Sequence, residues 1–174
     1  MRAKIILGAF LLIGAILVAS RVAGAQAKKD YLTEGEADKI RDAENNLSSK
    51  IKLYVGFADD RLSKFKYTLA HPTTDKNRAD VLNGLMNAYG ACMDDAADLI
   101  DVAKERQQDI RSGLKAIASR GKDFLTYLQE LAKTGAELDT YKMTLDDAIE
   151  ATQDAISEAE KATKEINAPV RRKQ

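Results

Sequence analysis

The chain has 174 residues, with 27 lysines and arginines against 27 aspartates and glutamates, a single cysteine and no tryptophan. One cysteine excludes an internal disulfide, so stability has to come from burial and helix packing. Balanced charge without a clustered basic field argues against nucleic acid as a partner.

The first 25 residues read as a leader. Arg2 and Lys4 make a short basic start, Ile5 to Ala19 is almost wholly apolar, and Ala23-Gly24-Ala25 offers a small-x-small cleavage pattern. The apolar run falls short of the roughly 20 residues a comfortable membrane span takes. Export with cleavage after Ala25 is therefore expected, with cleavage after Ser20 or a retained, tilted anchor as the alternatives. Losing Arg2, Lys4 and Arg21 with the leader leaves 24 basic against 27 acidic residues, a mature chain of about −3. The expected organisation is a flexible start over 26–32, one helical-bundle domain over 33–167, and a disordered basic tail over 168–174 that carries Arg171, Arg172 and Lys173.

Two prolines, few β-branched residues and abundant Ala, Leu, Lys, Glu and Asp favour helix nearly throughout. Thr33-Glu34-Gly35-Glu36 is a capping box that opens a short first helix with Ala37, Ile40, Ala43 and Leu47 on one side. Asn45 to Ser49 interrupts it. A second helix then shows Ile51, Val55, Ala58, Leu62, Phe65 and Leu69 at intervals of three or four, and His71-Pro72 stops it. Thr73-Thr74-Asp75 begins the next.

Counting in sevens from Leu82 gives Tyr89, Ala96, Ala103, Ile110, Ile117, Phe124 and Leu131, an unbroken apolar series. The pattern allows one helix from Asp75 to about Lys133, or two parted near Ser112-Gly113 or Gly121. A single bent helix is the preferred reading, because no proline and no polar loop cluster marks a break. Thr134-Gly135 makes the next stop, with glycine expected in the left-handed backbone that ends helices. The last helix repeats Leu138, Tyr141, Leu145, Ala148, Thr152, Ala155, Ala159, Ala162 and Ile166 before Pro169. Short corners at Pro72 and Gly135 force antiparallel neighbours, so the fold expected is all-α, an elongated antiparallel helical bundle with coiled-coil-like, alanine-rich seams. Alanine seams leave little room for a guest molecule between helices.

The run Asp94-Asp95-x-x-Asp98, beside Cys92, matches the magnesium-diphosphate motif of prenyl-transferring enzymes, and Asp146-Asp147-x-x-Glu150 echoes it. Helical periodicity speaks against that chemistry. With Ala96 placed at 0°, Asp94, Asp98 and Asp101 fall near about 160°, 200° and 140°, while Cys92, Met93, Leu99, Ile100 and Ala103 lie within about 60° of zero. The same count from Leu145 turns Asp147, Glu150 and Asp154 outward. Both acidic sets are expected on solvated faces, unable to converge across an interior cavity, with the thiol buried and inert. His71 is expected as a helix-end cap, Met86 and Met93 as core fillers, and Asn46-Leu47-Ser48 as an idle glycosylation sequon.

"YLTEGEADKIRDAE" and "IKLYVGFADDRL", within Tyr31 to Leu62, resemble the opening of a group of uncharacterised exported helical proteins of Gram-negative bacteria. The resemblance implies export and helicity and carries over no site residue. The function expected is that of a non-catalytic exported bundle, periplasmic or secreted, acting through protein–protein interaction or a structural role in the cell envelope. A small-ligand or cation-binding helical module is the alternative. No catalytic, cofactor-binding or metal-ligating residue and no cofactor is assigned. The expected partner is another protein or a second copy of the chain, with membrane contact only through the leader before cleavage.

Overall fold

The computed structural model describes residues 29–167, which form five helices: α1 (Glu34–Asp42), α2 (Leu47–Ala70), α3 (Arg78–Glu105), α4 (Arg111–Thr134) and α5 (Leu138–Asn167). The leader expected at 1–25, positions 26–28 and the tail expected at 168–174 lie outside the described residues. No helix of the described residues is long and apolar enough to cross a membrane. Lys29 to Leu32, expected within a flexible start, instead makes a turn, Leu32 N–H to Lys29 O at 2.9 Å, and buries Leu32.

Local chemistry sets most helix ends where the sequence puts them. Thr33 Oγ1 accepts from Glu36 N–H while the Glu36 carboxylate accepts from Thr33 N–H, the reciprocal capping box. Asn46 Oδ1 caps α2 by accepting from Ser49 N–H at 2.9 Å, so the asparagine of the sequon is occupied as a cap. α2 ends at Ala70 with His71 as its cap residue, directly before Pro72. α3 starts three residues later than the sequence suggested, because Asp75 first forms a turn that accepts from Asn77 N–H at 3.0 Å.

The third helix is not continuous. It breaks at Arg106–Ile110, ahead of the Ser112-Gly113 alternative, and the chain reverses there. Gln107 takes the left-handed backbone (φ 53°), Gln107 N–H bonds Lys104 O at 3.2 Å, and Gln108 N–H reaches Ala103 O at 3.0 Å. This is the double closure of a Schellman stop, with glutamine where glycine or asparagine is usual. The N-cap residue of α4, Ile110, has no polar side chain; Asp109 Oδ1 accepts from Arg111 N–H at 3.1 Å, and Ser48 Oγ of α2 accepts from Gly113 N–H at 2.9 Å. Gln108 Oε1 in turn accepts from Leu47 N–H at the start of α2, at 3.4 Å. The two helix starts thus satisfy one another's orphan amides. The helices approach closely here: a Cβ at 113 would stand 3.1 Å from the Ile51 side chain, which would have to shift to admit it.

Two antiparallel hairpins result, α2–α3 and α4–α5, as the corners at Pro72 and Gly135 imply. Between hairpins the neighbours run parallel. Ser48 meets Ser112, Asp59 meets Arg120 and Lys66 lies over the Tyr127 ring along α2 and α4. Asn83 meets Thr140 O, Tyr89 meets Thr152 and Lys104 meets Glu165 along α3 and α5. α3 and α4 face each other across the core, where the Tyr89 and Phe124 rings meet edge to face at 5.8 Å. Every residue of the series from Leu82 to Leu131 is buried, and so are Ala148, Ala151, Ala155, Ala159 and Ala162 of α5.

One arginine ties the two corners at the far end together. The Arg78 guanidinium donates to Thr68 O at 2.8 Å and to His71 O at 3.3 Å, at the carbonyl end of α2, and grips Glu137 through Nε at 2.9 Å and Nη2 at 2.8 Å. Cations at a helix C-terminus satisfy orphan carbonyls and complement the dipole.

Candidate functional site

α3 places Cys92, Met93, Ala96, Ile100 and Ala103 in the core and Asp94, Asp98 and Asp101 on the exposed face. Asp147, Glu150 and Asp154 of α5 are likewise exposed, and Leu99 is half-buried. Parallel packing of α3 and α5 nevertheless draws the two acidic sets closer than helical periodicity alone indicated. Asp94 and Asp147 line one shallow surface groove of about 200 Å³ with Met86, Gly90 and Thr144. Partial burial, then Asp98 and Asp154, hold the Asp94 carboxyl above its usual range. Among the described residues no group of three His, Cys, Asp or Glu side chains is placed to hold a metal ion.

Asp95 departs from the outward pattern. At about 260° on the helical wheel it sits on the flank of α3, and its side chain is only 14% exposed because it pairs with Lys29 from the chain ahead of α1. Burial pushes its carboxyl up in spite of that partner. The Lys29 ammonium also stands 5.5 Å from the centroid of the Tyr54 ring, which is itself buried.

A second ionic contact lies beside the first. Arg61 of α2, a buried arginine, donates to both carboxylate oxygens of Glu36, at 2.8 and 2.5 Å, to Asp60 at 2.6 Å and to the backbone carbonyl of Tyr31 at 3.1 Å. Bidentate geometry of this kind is the strong form of the carboxylate–guanidinium contact. Although burial opposes it, the sum of the Arg61 and Thr33 hydrogen bonds keeps the Glu36 carboxyl down at about 2, so the pair stays ionised across the neutral range. The capping glutamate of α1 therefore serves twice, closing its own helix and clamping α1 to α2.

Cys92 is fully buried, and burial pushes its thiol up to about 12. A thiol in that state is neither a nucleophile nor a metal ligand at neutral pH. His71 Nδ1 lies 2.8 Å from Tyr67 O and its ring stacks on Tyr67 at 4.1 Å, a helix-end arrangement. Met86 and Met93 are buried in the core.

Two further surface depressions carry apolar side chains. Tyr67 and Val81, 66% and 46% exposed, line an apolar groove of about 470 Å³ between α2 and α3 with Leu85, Thr68, Ser63 and Lys64. The second, about 500 Å³, lies at the α3–α4 reversal, with Ala103, Ile110, Ala162 and Ile166 beneath a rim that includes Lys104 and Arg111.

Lys29 and Asp95 carry no signal of their pairing, since 66 positions separate them. Arg61 did leave a signal. It falls within about 60° of Ala58 on the apolar stripe of α2, where an unpaired charge is not tolerated. Compared with protein-family models, curated proteins and solved structures, the chain finds no match.

Proposed function

We propose that this is a non-catalytic exported bundle that works by presenting a helix face to a protein partner or to a second copy of itself in the cell envelope. The observation that carries the reading is the apolar groove formed by Tyr67, Val81 and Leu85. Tyr67 and Val81 are exposed beside the half-buried Leu85 at the junction of two helices, and apolar side chains gathered at the surface favour a contact role. The leader-like start of the sequence and the resemblance at Tyr31 to Leu62 support export.

A photo-crosslinking residue at Val81, compared with one at exposed Lys161 on α5, tests it together with sedimentation over about 1–100 µM, the range in which such surfaces associate. One discrete adduct specific to position 81, at dimer mass or with one partner, and lost in Tyr67→Glu, is expected. A strict monomer with no adduct specific to that position contradicts the reading.

The depression at the α3–α4 reversal favours a second reading, a module for a small amphiphilic ligand, because its volume falls in the range of ligand pockets. A thermal-shift screen with lipids, haem and metals tests it, and a uniformly flat result removes it.

A further inference from the structure

Residues Lys29 to Asp42 sit on the bundle as a piece apart. α1 packs appreciably against α2 alone, and among its nine residues only Ile40 is buried. Just ahead of α1, Leu32 is buried and Tyr31 is half-buried against the core. Beyond α1 the chain turns through a left-handed Glu44 (φ 44°), and α2 then begins on its own Asn46 cap. The first turn of α2 thus keeps its capping bond whether α1 is seated or not.

A few polar contacts complete the seating. The contacts are Arg61 to Glu36 and to Tyr31 O, and Lys29 to Asp95. Each of these groups has somewhere to go on release. Arg61 keeps Asp60 as a partner on its own helix, and Lys29 and Asp95 regain water. Among the described residues, the Tyr31 hydroxyl and the second Asp95 oxygen are buried without a hydrogen-bond partner, a cost incurred only while the piece is seated. Ion pairs that recover solvation on separation add little net free energy. Seating is shallow beside the packing of α2–α5, where Phe65, Leu82, Tyr89, Ile117 and Leu145 are all but fully buried.

We infer that Lys29–Asp42 is a detachable clasp, hinged at Ala43–Asn46, that lifts off the α2–α3 face as a unit and uncovers Tyr54, Asp95 and Cys92 while α2–α5 stay folded. Openings of this kind, smaller than global unfolding, occur in elements with few apolar contacts. Cys92 is the natural reporter. It is fully buried on α3, one turn before Asp95, the residue that Lys29 of the clasp bonds.

The reaction of Cys92 in the full chain with an aromatic disulfide reagent, followed from zero to sub-denaturing urea, tests the clasp. A slow rate that does not change with urea is expected, because clasp opening exposes little surface. Lys29→Ala is expected to raise that rate about tenfold, since it leaves the Asp95 carboxylate covered and without its partner in the closed state alone. Ile117→Val, which weakens open and closed states alike, is expected to leave it unchanged. A rate that climbs with urea in step with global unfolding overturns the clasp. So does a rise in Ile117→Val equal to that in Lys29→Ala, or a thiol that reacts only when the whole chain unfolds.

Discussion

Tyr89→Ala is expected to lower the unfolding free energy by about 3–5 kcal/mol, as truncation of a buried aromatic does. The residue stands where three helices meet. It belongs to α3, its ring contacts Phe124 of α4 edge-on, and its hydroxyl bonds Thr152 Oγ1 of α5 at 2.7 Å. Alanine would remove the ring from a site with no route for solvent, leaving a void between elements that approach from different directions. Tyr89→Phe separates the ring from the hydroxyl. It should cost only about 1 kcal/mol, because Thr152 Oγ1 still donates to Ala148 O at 2.6 Å and is not left unsatisfied. Urea unfolding of both variants checks the pair. Equal losses would mean that the hydrogen bond, and not the packing, holds the three helices together.

Gly135→Ala is the second large effect, expected at about 2–3 kcal/mol by the usual cost of overpacking. The reason differs from the one periodicity supplies. Gly135 is not left-handed; its backbone is extended (φ −62°, ψ 134°), and the left-handed residue at this corner is Glu137 (φ 55°). What excludes a side chain is space. A Cβ would stand 2.5 Å from Leu131 O and 2.6 Å from the Tyr141 hydroxyl. Tyr141 has little freedom to yield, being buried, packed edge-on against Phe65 at 5.0 Å and bonded to Ala136 O at 2.7 Å. Gly84→Ala is the matching control. With open space around it in the middle of α3, it should gain about 0.5–1 kcal/mol from helix propensity alone.

These two positions show what residues in a row can reveal. Periodicity located the core almost completely, because burial repeats every three to four residues and leaves its imprint on α2, α3, α4 and α5 alike. It could not show the reversal at Arg106–Ile110. Ala103 and Ile110 are seven apart, so the apolar count continues through the turn as if the helix did. The turn itself uses Gln107 in a conformation glutamine seldom adopts, and one of the caps that start α4 comes from Ser48, 65 residues away. Its closing bonds are backbone bonds that any residue can make, so neither a glycine nor a proline marks the stop.

The polar contacts divide in the same way. The outward face of Asp94, Asp98 and Asp101 was legible as a matter of helix angle. That Asp94 and Asp147 share a groove was not, because the angle on one helix says nothing about which neighbour runs parallel to it. Glu36 announced its capping role three residues from Thr33, while its grip on Arg61 depends on how α1 lies over α2.

That reversal pairs the hairpins, brings α3 and α5 into parallel contact and sets which carboxylates and apolar side chains share a face. Nitroxide labels at exposed Asp80 and Glu130 measure it directly. Folded back, α3 and α4 bring these positions to the same end of the bundle, within about 30 Å of each other given helix spacings of 8–10 Å. One continuous helix would hold them about 75 Å apart, at 1.5 Å for each of the roughly 50 residues between them. A dominant dipolar distance near the shorter value is the result expected; one near the longer value would contradict the architecture and the surface readings built on it.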